Sequence, residues 1–578
     1  MYIQRNQSVN KKTGKIYNSV ILCEKYREGD KVKTRTIANL SHLSEHVILS
    51  IQNTLKSDTE TTVSLKDIEI TKCFDYGYVH VLQTIMKQLR IDQVLEKTLS
   101  ETDAALVKAM IIGKIVTGGS KLCIYNWLGR EKEICELLGV DMKGRKIDHF
   151  YNSLGHLWLH HSKIEKKWFR YHKGATRRIY LYDLTSTYFE GTQNFFAAYG
   201  YNRDGKKGKM QMCVGLLTAE NGFPLRIQSF CGNTSDSTTV AEQICSLKNE
   251  LGANDIIFVG DRGMHIAYNL ENTPELANEN ISFITGLTHE QMQTLISRDI
   301  IKLSLFSKDL AEVSVDGKRY ILSVNPDLEY KELEYLNNCR QRCLSQVDEI
   351  RKSWKKRCTQ NEENIGKKQE YGGKGKYKNL KTELNVKDIK GYTRRVEEVI
   401  KKCGMNKYYS VDVIDNQSFT VNFNQVEFDK SCSLCGKYVV YSNVSAQEMT
   451  KEQVRGEYKK LQNVEHAFRD LKSDNINIRP VYHCNENQTR GHVQLCMFAY
   501  AIIKSMENIL FPFLKEYNQT NKTQLSFNDL IEELKNIKMC ELAIGNKVKS
   551  VQQPKLNPLQ KKILEALNVK MNPMVKVM

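Results

Sequence analysis

The sequence lacks the features that would mark a membrane, secreted or nucleotide-hydrolysing protein. Its longest apolar run, 493–503, is about half the length that a bilayer requires. The first residues hold no apolar signal core, and the 16 cysteines show no framework spacing. Neither glycine- and lysine-rich segment fits the phosphate-loop template. These absences predict a reduced, soluble, cytoplasmic protein without a membrane partner and without ATP chemistry.

Two short signals for metal binding are weak. Cys432 and Cys435 have the spacing of zinc ligands, but no second pair lies near them in the sequence. His156 and His160 are four residues apart, but the glutamate of a metalloprotease helix is missing. We therefore expect packing or surface roles for these four residues.

The charge balance gives the first indication of a binding partner. Lys and Arg total 85 against 67 Asp and Glu, which gives a net charge of +18. Such an excess favours a polyanionic partner, because neutralising phosphates releases condensed counterions. On charge alone, a solubility role or binding to ribosomes or a membrane surface stays an alternative.

The apolar periodicity changes along the chain. Helical spacing over about 73–170 gives way to β-rich runs from 177 onward, with the order β, β, β, α, β, α, β. That order predicts a mixed α/β sheet layered by helices. A capping box at Thr450 and Gln453 then predicts the start of a long helix.

Two aspartates lie in or at the end of predicted strands. Asp183 is in a largely apolar β-rich run, where an acid is costly unless it is paired or binds a metal. Asp261 ends a buried strand, where sites of open α/β sheets form, and Gly260 and Gly263 allow close approach. The alternatives are a turn cap for Asp183 and a helix N-cap for Asp261.

A glutamate follows on the predicted long helix. Steps of three and four residues place Glu465 on an otherwise mostly apolar stripe, where a carboxylate needs neutralising. The alternative is an ion pair with Lys472 or Arg469. The other members of the stripe are Val454, Tyr458, Leu461, Phe468 and Lys472.

Three acids on two strands and a helix of one α/β layer suit Mg²⁺, which prefers carboxylate oxygens and also binds phosphate. Two such ions can activate a water or a 3′-hydroxyl and stabilise the leaving oxygen of an in-line displacement at phosphorus. No covalent protein nucleophile is then required.

The pattern resembles the DDE transposases of bacterial insertion sequences, in the group with a Tyr-x2-Arg-x3-Glu-x6-Lys signature. Tyr458, Glu465 and Lys472 match that signature in type and spacing, whereas Leu461 stands where the arginine belongs. Arg469, on the same helix, is the residue that can compensate. The segments around Asp183, around Asp261 and at 477–483 are also similar to this group.

The resemblance implies a ribonuclease-H-like catalytic core, a mixed sheet with flanking helices, interrupted by a mostly β insertion subdomain. It implies cleavage at the transposon's terminal inverted repeats and strand transfer into double-stranded target DNA. Two Mg²⁺ ions, with Mn²⁺ as a substitute, would be held by Asp183, Asp261 and Glu465. It also implies a homodimer or larger assembly on DNA, in the cytoplasm of a bacterium at the nucleoid.

The predicted domains follow from the same reading. They are a basic β-rich region (1–70), a helical and DNA-binding region (71–170), the first part of the catalytic core (171–300), an insertion (301–444) with a basic loop (358–381), the second part of the core (445–515) and a helical tail (516–578).

Several basic and aromatic residues are predicted to contact DNA, with solvated surface charges as the alternative for the basic ones. They are Tyr458, Arg469, Lys472, Arg203 and Lys209, with Lys206 and Lys207 on the same loop as the last two. Trp354, in a basic segment, either stacks on a base or anchors the insertion.

Two other functions stay open. A ribonuclease-H-like nuclease would cut without strand transfer, although it needs neither the long insertion nor the Tyr-Glu-Lys helix. A catalytically inactive, transposon-derived repressor would bind DNA only, although all three acids are present.

Overall fold

The computed structural model describes residues 1–9, 14, 16–29, 31–56, 68–172, 179–253, 255–274, 276, 281–382, 384, 386–415, 417–473, 476–544, 548–552 and 555–571. The chain forms two compact units. The first comprises residues 1–89, 125–145 and 505–578, and the second comprises 90–124 and 146–504. The helices of the predicted region 71–170 are thus divided between the two units.

The described elements, in chain order, are β1 (Tyr2–Val9), β2 (Ile16–Glu28), β3 (Lys31–Asn39), α1 (Glu45–Lys56), β4 (Ile68–Asp75), α2 (Gly77–Gln88), α3 (Ile91–Glu96), α4 (Glu101–Thr117), α5 (Lys121–Arg130), α6 (Lys132–Leu138), α7 (Ile147–Leu159), α8 (His161–His172), β5 (Ile179–Tyr188), β6 (Gln211–Ala219), β7 (Pro224–Cys231), α9 (Asp236–Asn249), β8 (Ile257–Gly260), α10 (Ile266–Asn272), β9 (Ser282–Gly286), α11 (His289–Ser297), β10 (Ala311–Val315), β11 (Lys318–Val324), α12 (Pro326–Glu370), α13 (Val386–Lys402), β12 (Tyr409–Val413), β13 (Phe419–Phe423), α14 (Gln425–Ser433), β14 (Lys437–Ser442), α15 (Lys451–Lys459), α16 (Gln462–Lys472), α17 (Glu486–Asn521), α18 (Phe527–Lys535), β15 (Lys538–Ile544), β16 (Val548–Gln552) and α19 (Pro558–Ala566).

The first unit contains two small antiparallel sheets. Strands β1, β2 and β3 form one, which confirms the β-rich start. Strands β16, β15 and β4 form the other. The expectation of a helical tail over 516–578 is therefore wrong for 538–544 and 548–552. That hairpin takes its third strand from 68–75, a pairing that the tail's own sequence does not reveal.

The second unit is built on a mixed sheet with the strand order β10-β11-β14-β9-β8-β5-β6-β7. Strands β5, β8 and β9 run parallel, whereas β6 and β7 are antiparallel to their neighbours. Every residue of β6 is buried, as expected for a strand covered on both faces. The predicted mixed α/β sheet is confirmed.

The insertion differs from its prediction. Strands β10, β11 and β14 belong to the large sheet, and the chain between β11 and β14 consists of α12, α13, a short hairpin β12–β13 and α14. The expectation of a mostly β insertion is therefore wrong. The segment is rich in Lys, Glu and Gln, which favour helix even where few apolar residues are present.

The predicted basic loop 358–381 is wrong for 358–370, because α12 continues to Glu370. Glu363 and Lys367 form an ion pair one turn apart, at 3.7 Å. The buried Asn361 donates a hydrogen bond to the carbonyl oxygen of Thr382 at 3.2 Å. Asn364 likewise donates to the carbonyl oxygen of Lys381 at 3.1 Å. Local charge pairing and these tertiary contacts keep the chain helical despite its low apolar content.

The predicted long helix after Thr450 begins where expected, with the capping box of Thr450 and Gln453 in place. It is broken, however, into α15 and α16 at Lys460 and Leu461. Helix α16 packs on β5 and β6, and the break determines which of its residues form the buried face.

One helix in the described part of the chain, α17, is long and apolar enough to cross a membrane. Half of its most apolar window is buried inside the protein. The side chains of Leu495, Phe498 and Ile502 are fully buried there, as in a core helix of a folded domain.

Candidate active site

The strand register places the two predicted aspartates side by side. Tyr182 of β5 pairs with Gly260 of the parallel strand β8. Asp183 and Asp261 are the next residues on these two strands. Asp261 therefore lies at the carboxyl end of β8, where ligands of α/β proteins bind, and Asp183 lies beside it within β5.

The Asp183 carboxylate is held by its own backbone. Its Oδ1 accepts a hydrogen bond from the N–H of Leu184 at 2.8 Å. Burial raises the pKa of Asp183 to about 7, and the negative charges of Asp261 and Asp236 act in the same direction, whereas Arg203 opposes them. A cation bound beside this carboxylate would relieve that penalty.

Asp261 combines the two alternatives considered for it. Its Oδ1 caps a short turn by accepting the N–H of Arg262 at 2.7 Å. The same oxygen accepts a hydrogen bond from the Tyr458 hydroxyl at 3.2 Å. The cap and the tyrosine together fix the carboxylate while it faces the cavity beside Asp183.

Glu465 lies in the first turn of α16 and is exposed. The expected position on an apolar stripe is wrong, because the buried face of α16 consists of Val464, Ala467, Phe468 and Leu471. Because the helix breaks before α16, the side chains of α16 face other directions than they would on one continuous helix. Glu465 therefore stands beside the buried face and lines the same cavity as the two aspartates.

That cavity has a volume of about 730 Å³ and carries both signs of charge. We call it the catalytic cavity. The charged residues that line it are Asp183, Asp204, Asp236, Asp261, Glu465, Arg203, Arg469, Lys472 and Arg479.

Asp204 is the centre of an ion-pair network that the sequence reasoning missed. Its side chain is 2% exposed and pairs with Lys472 at 2.8 Å and with Arg479. Lys472 also donates to the Thr185 hydroxyl at 2.7 Å. The sequence feature that could have pointed to this network is a single acid, Asp204, in the basic segment that follows β5.

The residues predicted to contact DNA lie in different surroundings. Arg203 lines the cavity, but its guanidinium donates to both Asp236 carboxylate oxygens, at 2.5 and 2.7 Å. Arg469 lines the cavity and is exposed. Lys209 pairs with Glu190 at 2.6 Å and does not line the cavity.

The chemistry of the donor set fits a divalent cation. Asp183 and Asp261 are adjacent carboxylates, and the guanidinium of Arg203, whose charge acts on Asp183, is engaged by Asp236. Within the described ranges, no three His, Cys, Asp or Glu side chains already converge as ligands of one ion. The two aspartates therefore form the preorganised part of the site, and Glu465 faces them across the cavity.

Comparison with known protein families identifies the class of protein to which the chain belongs. The family described as "Transposase DDE domain" matches residues 174–502, which contain all three acids. The chain belongs to the DDE transposase family, and it is a DNA transposase. Residues 7–63 match the family described as "IS1634 family transposase, N-terminal domain", so the transposase is of an insertion-sequence type. The predicted family and function are confirmed.

Among solved structures, the chain is similar to a piggyBac transposase in a cryo-EM structure of a synaptic complex with hairpin DNA. The identity is 8%, the alignment covers 79% of this chain and 78% of that chain, and the TM-score is 0.33. No curated protein matches the sequence.

Proposed function

We propose that this transposase cleaves DNA at the terminal inverted repeats of its element and joins the ends to target DNA. Asp183, Asp261 and Glu465 would hold two Mg²⁺ ions, with Mn²⁺ as a substitute. The observation that carries the proposal is the adjacency of Asp183 and Asp261 on parallel strands, with Glu465 on the same cavity. When bound, the ions supply an activated oxygen nucleophile and neutralise the leaving oxygen.

The residues around the acids have separate tasks in this proposal. Tyr458 and the N–H of Arg262 orient Asp261. Arg469 is exposed at the cavity and is placed to bind a backbone phosphate. Lys472 is pre-positioned by Asp204 and Thr185, so it would contact the strand without losing side-chain entropy at that moment.

We further infer a ribonuclease-H-like core for the second unit. Its support is the strand order β7-β6-β5-β8-β9, with β5, β8 and β9 parallel and the chain order β, β, β, α, β, α, β. The two aspartates on β5 and after β8 occupy the central pair of that sheet.

The test is a cleavage assay with Mg²⁺ on duplex DNA that carries the repeats bracketing the reading frame. Asp183→Asn, Asp261→Asn and Glu465→Gln should each lose about 10³-fold or more in rate, since metal stabilisation of the transition state is worth several kcal/mol. The matched controls are Asp316→Asn in the exposed β10–β11 turn and Glu452→Gln on the exposed face of α15. Both should cut at the wild-type rate.

The same assay separates the alternatives. Chelation by EDTA should abolish cutting, and Mn²⁺ should restore it. Cutting that survives the three substitutions contradicts the assignment of the acids. Cutting without any joined product supports the nuclease, whereas specific binding without cutting by the wild type supports the repressor.

We also propose that the active form is a homodimer or larger assembly on the paired ends, acting on chromosomal DNA in a bacterial cytoplasm. Light scattering of the complex with end DNA would give its mass. A mass of one chain on each DNA end, with no pairing of the ends, contradicts this part of the proposal.

A further inference from the structure

A second cavity lies in the same unit as the catalytic cavity, and Arg479 lines both. It has a volume of about 560 Å³, within the range of small-molecule sites. We call it the lysine cavity. Its polar and aromatic lining residues include Lys114, Lys121, Tyr151, Tyr482, His483 and Gln488.

Two lysines of this lining are almost fully buried, each 3% exposed. Lys114 donates to the carbonyl oxygens of Gly119 at 2.8 Å and Gly118 at 3.4 Å. The Lys121 ammonium contacts Nδ1 of the buried His492. Among the described residues that line the cavity, none is Asp or Glu.

The histidines do not neutralise the lysines. Nε2 of His492 lies 3.1 Å from the carbonyl oxygen of Ile478, so Nε2 carries the proton and Nδ1 accepts from Lys121. Burial and the nearby lysines lower the pKa of His483 to about 3. Both imidazoles are thus neutral near pH 7, and no carboxylate of the described lining offsets a charge on Lys114 or Lys121.

Buried ammonium groups without a counter-charge are costly, and they persist in proteins mainly where they pair or serve a function. Here they face a cavity that also presents an arginine, an amide and two tyrosine rings. This combination is complementary to a phosphate with an adjoining planar base, since ammonium groups pair with phosphate and aromatic rings stack on bases.

We propose that the lysine cavity binds one phosphate and the adjoining base of the DNA strand that continues from the catalytic cavity. Lys121 and Lys114 would contact the phosphate, Arg479 would bridge the two cavities, and Tyr482, which is 65% exposed, would stack on the base. This assignment rests on the proposed function, because it takes the ligand to be the same DNA strand.

The test is binding of end DNA by fluorescence anisotropy in EDTA, so that no cleavage is needed. We expect Lys121→Met to weaken binding about tenfold and to reduce the salt slope by about 0.7–0.9, the value for one phosphate contact. Lys114→Met should act in the same direction. The matched control is Lys561→Met, at an exposed position of α19, which should bind like the wild type.

A scan with single neutral methylphosphonate linkages identifies the phosphate. One position should weaken the wild type but leave Lys121→Met unchanged. Thermal shift provides a second measurement that does not require end DNA. Thymidine 3′,5′-bisphosphate should raise the melting temperature of the wild type, and Lys121→Met should lose most of that rise.

Equal affinity and equal salt slope for Lys121→Met and the wild type would overturn the proposal. So would stabilisation by inorganic phosphate with no effect of the bisphosphate or of any DNA linkage. The outcome is separable from that of the catalytic proposal. A wild type that never cuts can still show the Lys121-dependent contact, and a cutting enzyme can lack it.

Discussion

Tyr458 is held between the carboxylate of Asp261 and the backbone of Gly286. Its hydroxyl donates to Asp261, and a Cβ built on Gly286 would collide with that hydroxyl and lie 2.9 Å from Cζ. Glycine at 286 thus leaves the space in which the tyrosine reaches Asp261. Neither residue is near the other in the sequence, so only the folded chain shows this dependence.

We predict that Gly286→Ala lowers the cleavage rate about tenfold, because the displaced Tyr458 no longer orients Asp261. Overpacking of this kind costs about 1–3 kcal/mol of stability. Cleavage kinetics with end DNA, together with thermal unfolding, would measure both effects.

The control for Gly286→Ala is Gly456→Ala, two residues before Tyr458 on α15, where a Cβ meets nothing within 4 Å. It should cut normally. In a double-mutant cycle, Gly286→Ala should cost less in a Tyr458→Phe background, because the hydroxyl that collides is gone. If the losses in cleavage rate from the two substitutions are additive, Gly286→Ala does not act through Tyr458.

Lys121 gives a pH-dependent prediction for the protein without DNA. Burial lowers its pKa from 10.5 to about 7, with the charge of Lys114 acting in the same direction and Cys496 opposing it. Between these two values the unfolded chain binds more protons than the folded one, so the free energy of unfolding contributed by this group rises with pH. Below about pH 7 the full cost of the buried charge is present.

Lys121→Met should therefore be more stable than the wild type at pH 6, by about 1–4 kcal/mol. The difference should shrink as the pH approaches 9–10. Urea denaturation at several pH values, in the absence of DNA and phosphate, would test this. A variant less stable than the wild type at every pH would show that the ammonium stabilises the fold.

At the scale of elements, the long helix α12 is anchored by one aromatic residue. Trp354 is 4% exposed, and its indole N–H donates to the carbonyl oxygen of Gln417 at 2.7 Å. Its ring packs near Leu384 and Ile389 in a small core of the insertion. Of the two interpretations considered for Trp354, the structure supports the anchor.

We predict that Trp354→Ala destabilises the insertion by about 3–5 kcal/mol, the usual cost of emptying a buried aromatic site. Hydrogen exchange of peptides from α12 to α14 should become faster. The control is Tyr330→Ala on the same helix, where the side chain is 69% exposed. Loss of DNA binding by Trp354→Phe, with hydrogen exchange unchanged, would instead favour the stacking role.

At the scale of the whole molecule, the net charge of +18 predicts strongly salt-dependent DNA binding. With roughly 6–10 phosphate contacts, affinity should fall about 10³–10⁵-fold between 50 and 200 mM salt. Anisotropy titrations with end DNA and with unrelated DNA would measure the two slopes. A flat salt response would contradict a role for the charge excess in DNA binding.

The sequence by itself determined the family and the mixed sheet, and it singled out Asp183, Asp261 and Glu465 as candidate acids. These features depend on local information: a short buried strand followed by an acid, a switch of apolar period, and a signature at fixed spacing over 458–472. The N-terminal strands and the helix start at Thr450 were predictable for the same reason, since turns and helix caps depend on residues that are close in the sequence.

The insertion, the tail and the phase of α16 required the tertiary structure. Helix or strand in a weakly apolar segment is decided by distant partners, as Asn361 with Thr382 and β15 with β4 show. The Asp204 network and the lysine cavity combine segments more than 250 residues apart in the sequence, from Asp204 to Lys472 and from Lys121 to His492. Only the folded chain sets which charges are compensated, because burial and pairing are properties of position in space.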